Sequence, residues 1–99
     1  SSFNKKICYI QYNDSTAEEK IRSFQTALKS KQWIAPGIDY VEGTYNNIVK
    51  YFNAEDEQLA QKCAALAKAT FNIDFKIVPI LSSKYKVPNG QLEVWINVK

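Results

Sequence analysis

The sequence predicts an α+β domain in which two helices lie on one face of an antiparallel β-sheet. Segments rich in β-branched and aromatic residues alternate along the chain with two segments of helical periodicity. The two halves also echo each other, since "YNDSTAEEKI" and "YFNAEDEQL" both run from an aromatic strand end through a capping residue and acids into an apolar helix position. A chain of 99 residues with 45% apolar and 23% charged residues fits one globular domain.

The first predicted strand, "KICYIQYN" (6–13), carries apolar side chains at both alternating positions, which is typical of a central strand covered on both faces. The next segment has apolar residues at the spacing of an amphipathic helix: Ala17, Ile21, Phe24 and Leu28. Ser15 and Glu18 fit a capping box, in which each side chain bonds a backbone amide of the first turn. A turn at Pro36 and Gly37 ends this unit.

The densest acidic run, "NAEDE", predicts the start of the second helix. Asn53 is placed as the N-cap, with its side-chain carbonyl accepting amides of the first turn. The acids that follow lie where the helix dipole favours negative charge: Glu55, Asp56 and Glu57. A divalent metal site is the alternative, but consecutive acids on a helix point in different directions and cannot converge on one ion. The apolar face of this helix is predicted to carry Leu59, Cys63, Leu66 and Thr70, with Ala60 and Ala67 beside them.

Four further segments have the composition of strands. "IDYVE" (38–42) and "NIVKYF" (47–52) are predicted to form a hairpin around the turn "GTYN". "FKIVPIL" (75–81) contains Pro79, which favours an edge strand or a bulge. "QLEVWINV" (91–98) alternates apolar and polar residues, as a half-covered strand does.

In chain order these elements form two β-α-β units and one more strand. Two such units packed side by side give a ferredoxin-like βαββαβ sandwich, with an extra C-terminal strand that pairs with residues 75–81. Both helices would then lie on one face, and strands 7–12 and 47–52 would be neighbours. We expect residues 1–99 to be a single domain excised from a larger protein, because the sequence begins with two serines and contains no methionine.

The amino-acid composition disfavours several classes of function. The sequence has no histidine, so Ser-His and Cys-His catalytic pairs and most zinc sites are absent. Its three glycines form neither a phosphate-binding loop nor a dinucleotide fingerprint. Cys8 and Cys63 fall at apolar positions and are expected to be buried free thiols, although a disulfide between them stays open. We therefore expect a protein that is not an enzyme and has no cofactor and no metal.

The charge and hydropathy patterns limit the partners. A net charge of +3 without a basic stripe disfavours nucleic-acid binding. No apolar run approaches the roughly 18 residues of a membrane span, so membrane insertion is not expected. In the lysine-rich loop, a tyrosine lies between two lysines that could contact phosphate or a sugar ring: Lys84, Tyr85 and Lys86.

The sheet face that the helices leave uncovered is the principal candidate for binding. Strand parity directs Leu92, Val94 and Ile96 toward the helices and the intervening residues outward. The outward set is predicted to contain Tyr9, Gln11, Lys50, Phe52, Lys76 and Trp95, together with Val78 and Glu93. A surface of this size with tyrosine and tryptophan is typical of an interface with a protein partner or a second copy of the chain. The alternatives are a covering loop, terminus or neighbouring domain, and a glycan or peptide ligand.

A family resemblance accompanies these patterns. The segment "NIVKYFNAEDEQLAQKCAAL" (47–66) resembles the second halves of small ferredoxin-like bacterial appendage domains, such as the LytR C-terminal domain and the SPOR peptidoglycan-binding domain. The closing "NGQLEVWI" (89–96) is similar to the ends of accessory modules carried by larger bacterial signalling or caspase-like proteins. The resemblance implies a non-catalytic module of a larger bacterial protein, and the SPOR comparison implies contact with cell-wall glycan through the sheet.

Overall fold

The computed structural model describes residues 5–81 and 86–98. The strands are β1 (Ile7–Tyr12), β2 (Ile38–Tyr40), β3 (Ile48–Tyr51), β4 (Lys76–Pro79) and β5 (Gln91–Ile96). The helices are α1 (Glu18–Ser30) and α2 (Glu57–Phe71), preceded by single 3-10 turns at Ser15–Ala17 and Ala54–Asp56 respectively. Within these described ranges, neither helix is long and apolar enough to cross a membrane.

All five strands belong to one mixed sheet in the order β2-β1-β5-β3-β4. β1 runs parallel to both of its neighbours, β2 and β5, while β3 runs parallel to β4 and antiparallel to β5. The chain thus forms two β-α-β units, β1-α1-β2 and β3-α2-β4, whose parallel strands are adjacent. The last strand lies between the two units and joins them into one sheet.

The structure confirms an α+β fold with two helices and a five-stranded sheet, but the predicted antiparallel, ferredoxin-like strand order is not confirmed. β2 and β3 do not form a hairpin, because β1 and β5 separate them. β5 does not pair with β4, and β1 and β3 are not neighbours. The physical reason is the burial of β5: Leu92, Val94 and Ile96 are fully buried, so this strand gains most at the centre of the sheet.

The two helices contact each other and pack on the same side of the sheet. As predicted, the side chains that α1 buries include Ile21, Phe24 and Leu28. The buried face of α2 differs from the prediction, since its members are mostly small: Ala60, Cys63, Ala67 and Phe71. Leu59 and Leu66 are only half-buried. Small residues on α2 leave room for the bulky side chains of α1, and this size complementarity fills the core.

The helix starts also differ from the predicted caps. The Asp14 side chain, not Ser15, accepts the backbone amide of Thr16 at 3.0 Å. Asn53 occupies the N-cap position of the 3-10 turn, but its side chain makes no capping bond. Its amide instead donates to the carbonyls of Val87 and Pro88, at 3.0 and 3.3 Å. Asn53 therefore connects the start of the second helical segment to the segment before β5.

Candidate interaction surface

The sheet face opposite the helices carries seven of the eight predicted outward residues, together with Ile48, in two rows. The first row crosses four strands in register and consists of Gln11, Trp95, Ile48 and Lys76. The second row consists of Tyr9, Glu93, Lys50 and Val78. We call these eight residues the open face. Side chains directly opposite each other on neighbouring strands lie about 5 Å apart, so each row is continuous.

The central position of β5 explains why this surface persists without the predicted contact between β1 and β3. The face would have been lost if the strand between them had presented its apolar residues outward. β5 instead buries its alternate apolar residues against the helices and presents Glu93 and Trp95 on the other side. Trp95 consequently lies in the middle of the open face, flanked by Gln11 of β1 and Ile48 of β3.

Trp95 is held in place by three side chains. Its indole Nε1 donates a hydrogen bond to Glu93 Oε1 at 3.0 Å. Lys50 Nζ lies 4.8 Å from the ring centroid, within the range of a cation–π interaction. The ring of Tyr45 meets it edge-on, with centroids 5.1 Å apart and an interplanar angle of 85°. These contacts fix the half-buried indole in one orientation, which lowers the entropy that a partner would have to remove on binding.

Tyr45 belongs to the β2–β3 connection, which is tied down by asparagines at the ends of the central strands. Asn13, just after β1, donates from Nδ2 to the Gly43 carbonyl at 2.9 Å and to Asn97 Oδ1 at 3.0 Å. Asn97, just after β5, donates from Nδ2 to the Tyr45 carbonyl at 2.7 Å. Asn47 Oδ1 accepts the backbone amide of Asn97 at 2.7 Å. This network positions Tyr45 beside the tryptophan.

The remaining predicted site residues are placed less centrally. Phe52 follows the last residue of β3 and is half-buried, so it lies at the margin of the open face and outside a strand. Lys86 is exposed in the segment before β5. Lys84 and Tyr85 lie outside the described residues. The loop prediction therefore rests on sequence alone.

The electrostatic character of the open face is mixed. Lys50 and Lys76 supply positive charge and Glu93 supplies negative charge, so no single sign dominates. At its margin, burial raises the pKa of the Tyr45 hydroxyl above its ordinary value, with a smaller contribution from Tyr40. That hydroxyl donates to the Val41 carbonyl at 2.9 Å and is neutral at physiological pH. Among residues 5–81 and 86–98, no three cysteine, aspartate or glutamate side chains form a group that could hold a metal ion.

Sequence reasoning missed the polar residues that support the surface. Asn13 is fully buried. Strand parity places Asn97 outward, but the sequence does not predict that Asn13 and Asn97 hydrogen-bond to the β2–β3 connection. The signal that could have identified them is position, because each asparagine directly follows a strand rich in apolar residues. The sequence places Tyr45 only in a turn, and its contact with Trp95 depends on the strand order.

No family model, curated protein or solved structure matches the chain.

Proposed function

We propose that this domain is a non-catalytic interaction module that binds a protein partner, or a second copy of itself, through the open face. The observation that carries the proposal is the central, pre-positioned Trp95 with Tyr9 exposed near it on the same face. Large aromatic residues surrounded by polar neighbours are the usual anchors of protein interfaces. Tyr9 leaves 38% of its surface exposed, so it is available for contact.

The sheet edges are poorer candidates for binding than the face. β2 has three residues, and Pro36 interrupts the chain between β2 and the isolated bridge that Ile34 makes with Ile7. β4 ends at Pro79, which has no amide to donate to an added strand. Short strands and prolines are devices that protect sheet edges from pairing with other chains. This supports recognition by side chains on the face over addition of a partner strand.

The alternative is a module that binds peptidoglycan glycan or nucleic acid, with Lys84, Tyr85 and Lys86 assisting. Sugars and bases bind aromatic side chains by stacking on the ring face. Lys50 Nζ already lies over the Trp95 ring, so a stacked ligand would have to displace it. The mixed charge of the open face also gives little attraction for phosphate. These features favour a protein partner. From the resemblance of residues 47–66 and 89–96, we also propose that the domain is an accessory part of a larger bacterial protein.

Site-specific photo-crosslinking tests the proposal. A photoreactive phenylalanine analogue is placed at position 9 or, as the matched control, at position 40 in the chain expressed in its host cell. Tyr40 is 48% exposed but lies on the helix side of the sheet, opposite Tyr12 in register. We expect a discrete protein adduct or a crosslinked dimer from position 9 and none from position 40. Adducts from position 40 alone, or none from either position, would contradict the proposal.

Retention assays distinguish the glycan or nucleic-acid function from the proposed protein interface. The purified domain is applied to murein and to immobilised single-stranded RNA at low salt. Retention on either support that disappears as salt rises would favour the glycan or nucleic-acid function. Absence of retention at low salt eliminates it and leaves the protein interface.

A further inference from the structure

Two thiols from distant parts of the chain meet in the core. Cys8 Sγ of β1 and Cys63 Sγ of α2 are 3.9 Å apart, although the residues are separated by 55 positions in the chain. Both side chains are fully buried, and both thiols are free. The pair lies on the helix side of the sheet, away from the open face, and takes no part in the proposed interaction.

We propose that Cys8 and Cys63 are a site of reversible oxidation, at which a disulfide clamps β1 to α2. With oxidised glutathione as the oxidant, one thiolate attacks the glutathione disulfide and releases one glutathione thiolate. The second cysteine then attacks the mixed disulfide and releases the other. In balance, two protein thiols and one oxidised glutathione give one protein disulfide and two reduced glutathione molecules, so the protein loses two electrons and two protons.

The local packing allows the bond to form. A disulfide is about 2.05 Å long, so the sulfurs must approach by roughly 2 Å, which requires side-chain rotation and a small shift of the helix. The neighbours of Cys63 on the buried face of α2 are Ala60 and Ala67, one turn before and one turn after it. Because both side chains are small, the residues one turn away on either side of Cys63 place little bulk between this part of the helix and β1.

The reduced pair is protected while the domain is folded. The hydrogen bond between the Cys8 and Cys63 thiols, together with burial and a smaller electrostatic effect of Cys63, raises the pKa of Cys8 well above its ordinary value. The Cys8 thiolate, the form that attacks a disulfide, is therefore scarce in the folded state at neutral pH. Oxidation is expected during folding or through transient opening. The oxidation state of the two cysteines then reflects the redox conditions under which the chain folded.

Oxidative refolding tests this inference. The reduced chain is unfolded in denaturant and refolded with oxidised and reduced glutathione, then examined by intact mass and by alkylation of remaining thiols. We expect a monomer lighter by two hydrogen atoms, with no alkylatable thiol and with a Tm raised by roughly 5–20 °C over the reduced form. Reduction should restore both the mass and the Tm. The folded chain should react with the same glutathione mixture many-fold more slowly.

One control variant makes the outcome decisive. Cys63→Ala retains Cys8 alone and should yield only a mixed disulfide with glutathione or a disulfide-linked dimer. Refolding of the natural sequence to the same two products, without the lighter monomer, would overturn the inference. A lighter monomer with a Tm below that of the reduced form would also overturn it, because the native packing would then exclude the bond. Equal rates of reaction with the glutathione mixture for the folded and unfolded chains would contradict the burial of the pair.

Discussion

The carboxylate of Asp56 accepts a hydrogen bond from the backbone amide of Gly90, with 2.7 Å between Oδ2 and N. Asp56 directly precedes α2, and Gly90 directly precedes β5. The bond therefore joins the start of the second helix to the entry of the central strand. Asp56 is buried, and its role is to fix this entry rather than only to favour the helix dipole. The backbone carbonyl of Gly90 accepts the Ile7 amide at 2.8 Å, which sets the β1–β5 register.

Replacing Gly90 with alanine is expected to destabilise the fold by about 2–4 kcal/mol. Gly90 has a φ of +87°, which side-chain-bearing residues rarely adopt, and an added Cβ would collide with the backbone carbonyl oxygen of Lys5. Gly37→Ala is the matched control, because its Cβ would enter open space. It should change the free energy of unfolding by less than about 0.5 kcal/mol. Urea denaturation measures both free energies of unfolding, and equal effects of the two substitutions would contradict the positive φ of Gly90 and its close approach to Lys5.

Asp56→Ala is expected to destabilise the domain by about 1–3 kcal/mol, because it leaves the buried Gly90 amide without an acceptor. Asp56→Asn retains an oxygen acceptor and should recover part of this loss. Glu55→Ala is the control, since Glu55 is exposed in the same acidic turn and should lose no more than about 1 kcal/mol of helix-dipole interaction. If thermal denaturation shows equal losses for Asp56→Ala and Glu55→Ala, the carboxylate does not hold the strand entry.

Asn13→Asp should make stability strongly dependent on pH. The buried amide donates to two oxygen atoms, and a carboxylate in its place would face both of them. The folded state would raise the pKa of the new carboxyl above its unfolded value of about 3.9. The variant keeps most of its stability below that unfolded pKa and loses it as pH rises through the folded pKa.

Relative to the natural sequence, Asn13→Asp is expected to be destabilised by about 3 kcal/mol or more at pH 7 and by clearly less at pH 3. Asn46→Asp is the control, because Asn46 is exposed in the same connection and should show no such trend. Unfolding free energies across this pH range provide the measurement. A pH-independent difference for Asn13→Asp would show that the side chain is solvated.

Trp95→Ala is expected to lower the free energy of unfolding by about 2–3 kcal/mol, because it removes a half-buried ring that contacts Lys50 and Tyr45. Tyr9→Ala should lower it by less than about 1 kcal/mol, since the Tyr9 ring is more exposed. Tyr9 is therefore the better residue for probing binding without disturbing the fold. Similar losses for the two variants in chemical denaturation would contradict the described support of Trp95.

The sequence was sufficient to predict the helices, the strands and the side of the sheet that each residue of β5 faces, because these follow from local periodicity. The buried face of α2 was predicted only in part, since Leu59 and Leu66 are half-buried. The alternation of Leu92, Val94 and Ile96 with polar residues assigned both sides of β5 correctly. The outward positions of Tyr9, Lys50 and Trp95 followed in the same way. Parity is a property of each strand alone, and it does not depend on which strands are neighbours.

Strand order could not be predicted, because it depends on contacts between distant residues. A hairpin between residues 75–81 and 91–98 is the shortest connection, but the fully buried side chains of β5 favour a central position. The hydrogen-bond partners of the supporting asparagines could not be predicted for the same reason. Asn53 suits an N-cap locally, yet its amide donates to Val87 and Pro88 only because β5 enters the sheet beside it. Asn13 and Asn97 donate hydrogen bonds to backbone carbonyls of the β2–β3 connection, which crosses the sheet.

The position of β5 between β1 and β3 is the claim on which the open face depends, and cross-strand nuclear Overhauser effects test it most directly. We expect amide and Hα contacts from residues 91–96 to both β1 and β3, including contacts of Glu93 with Tyr9 and with Lys50. Contacts from residues 91–96 to β4, with none to β1, would contradict the strand order and remove Trp95 from the centre of the surface.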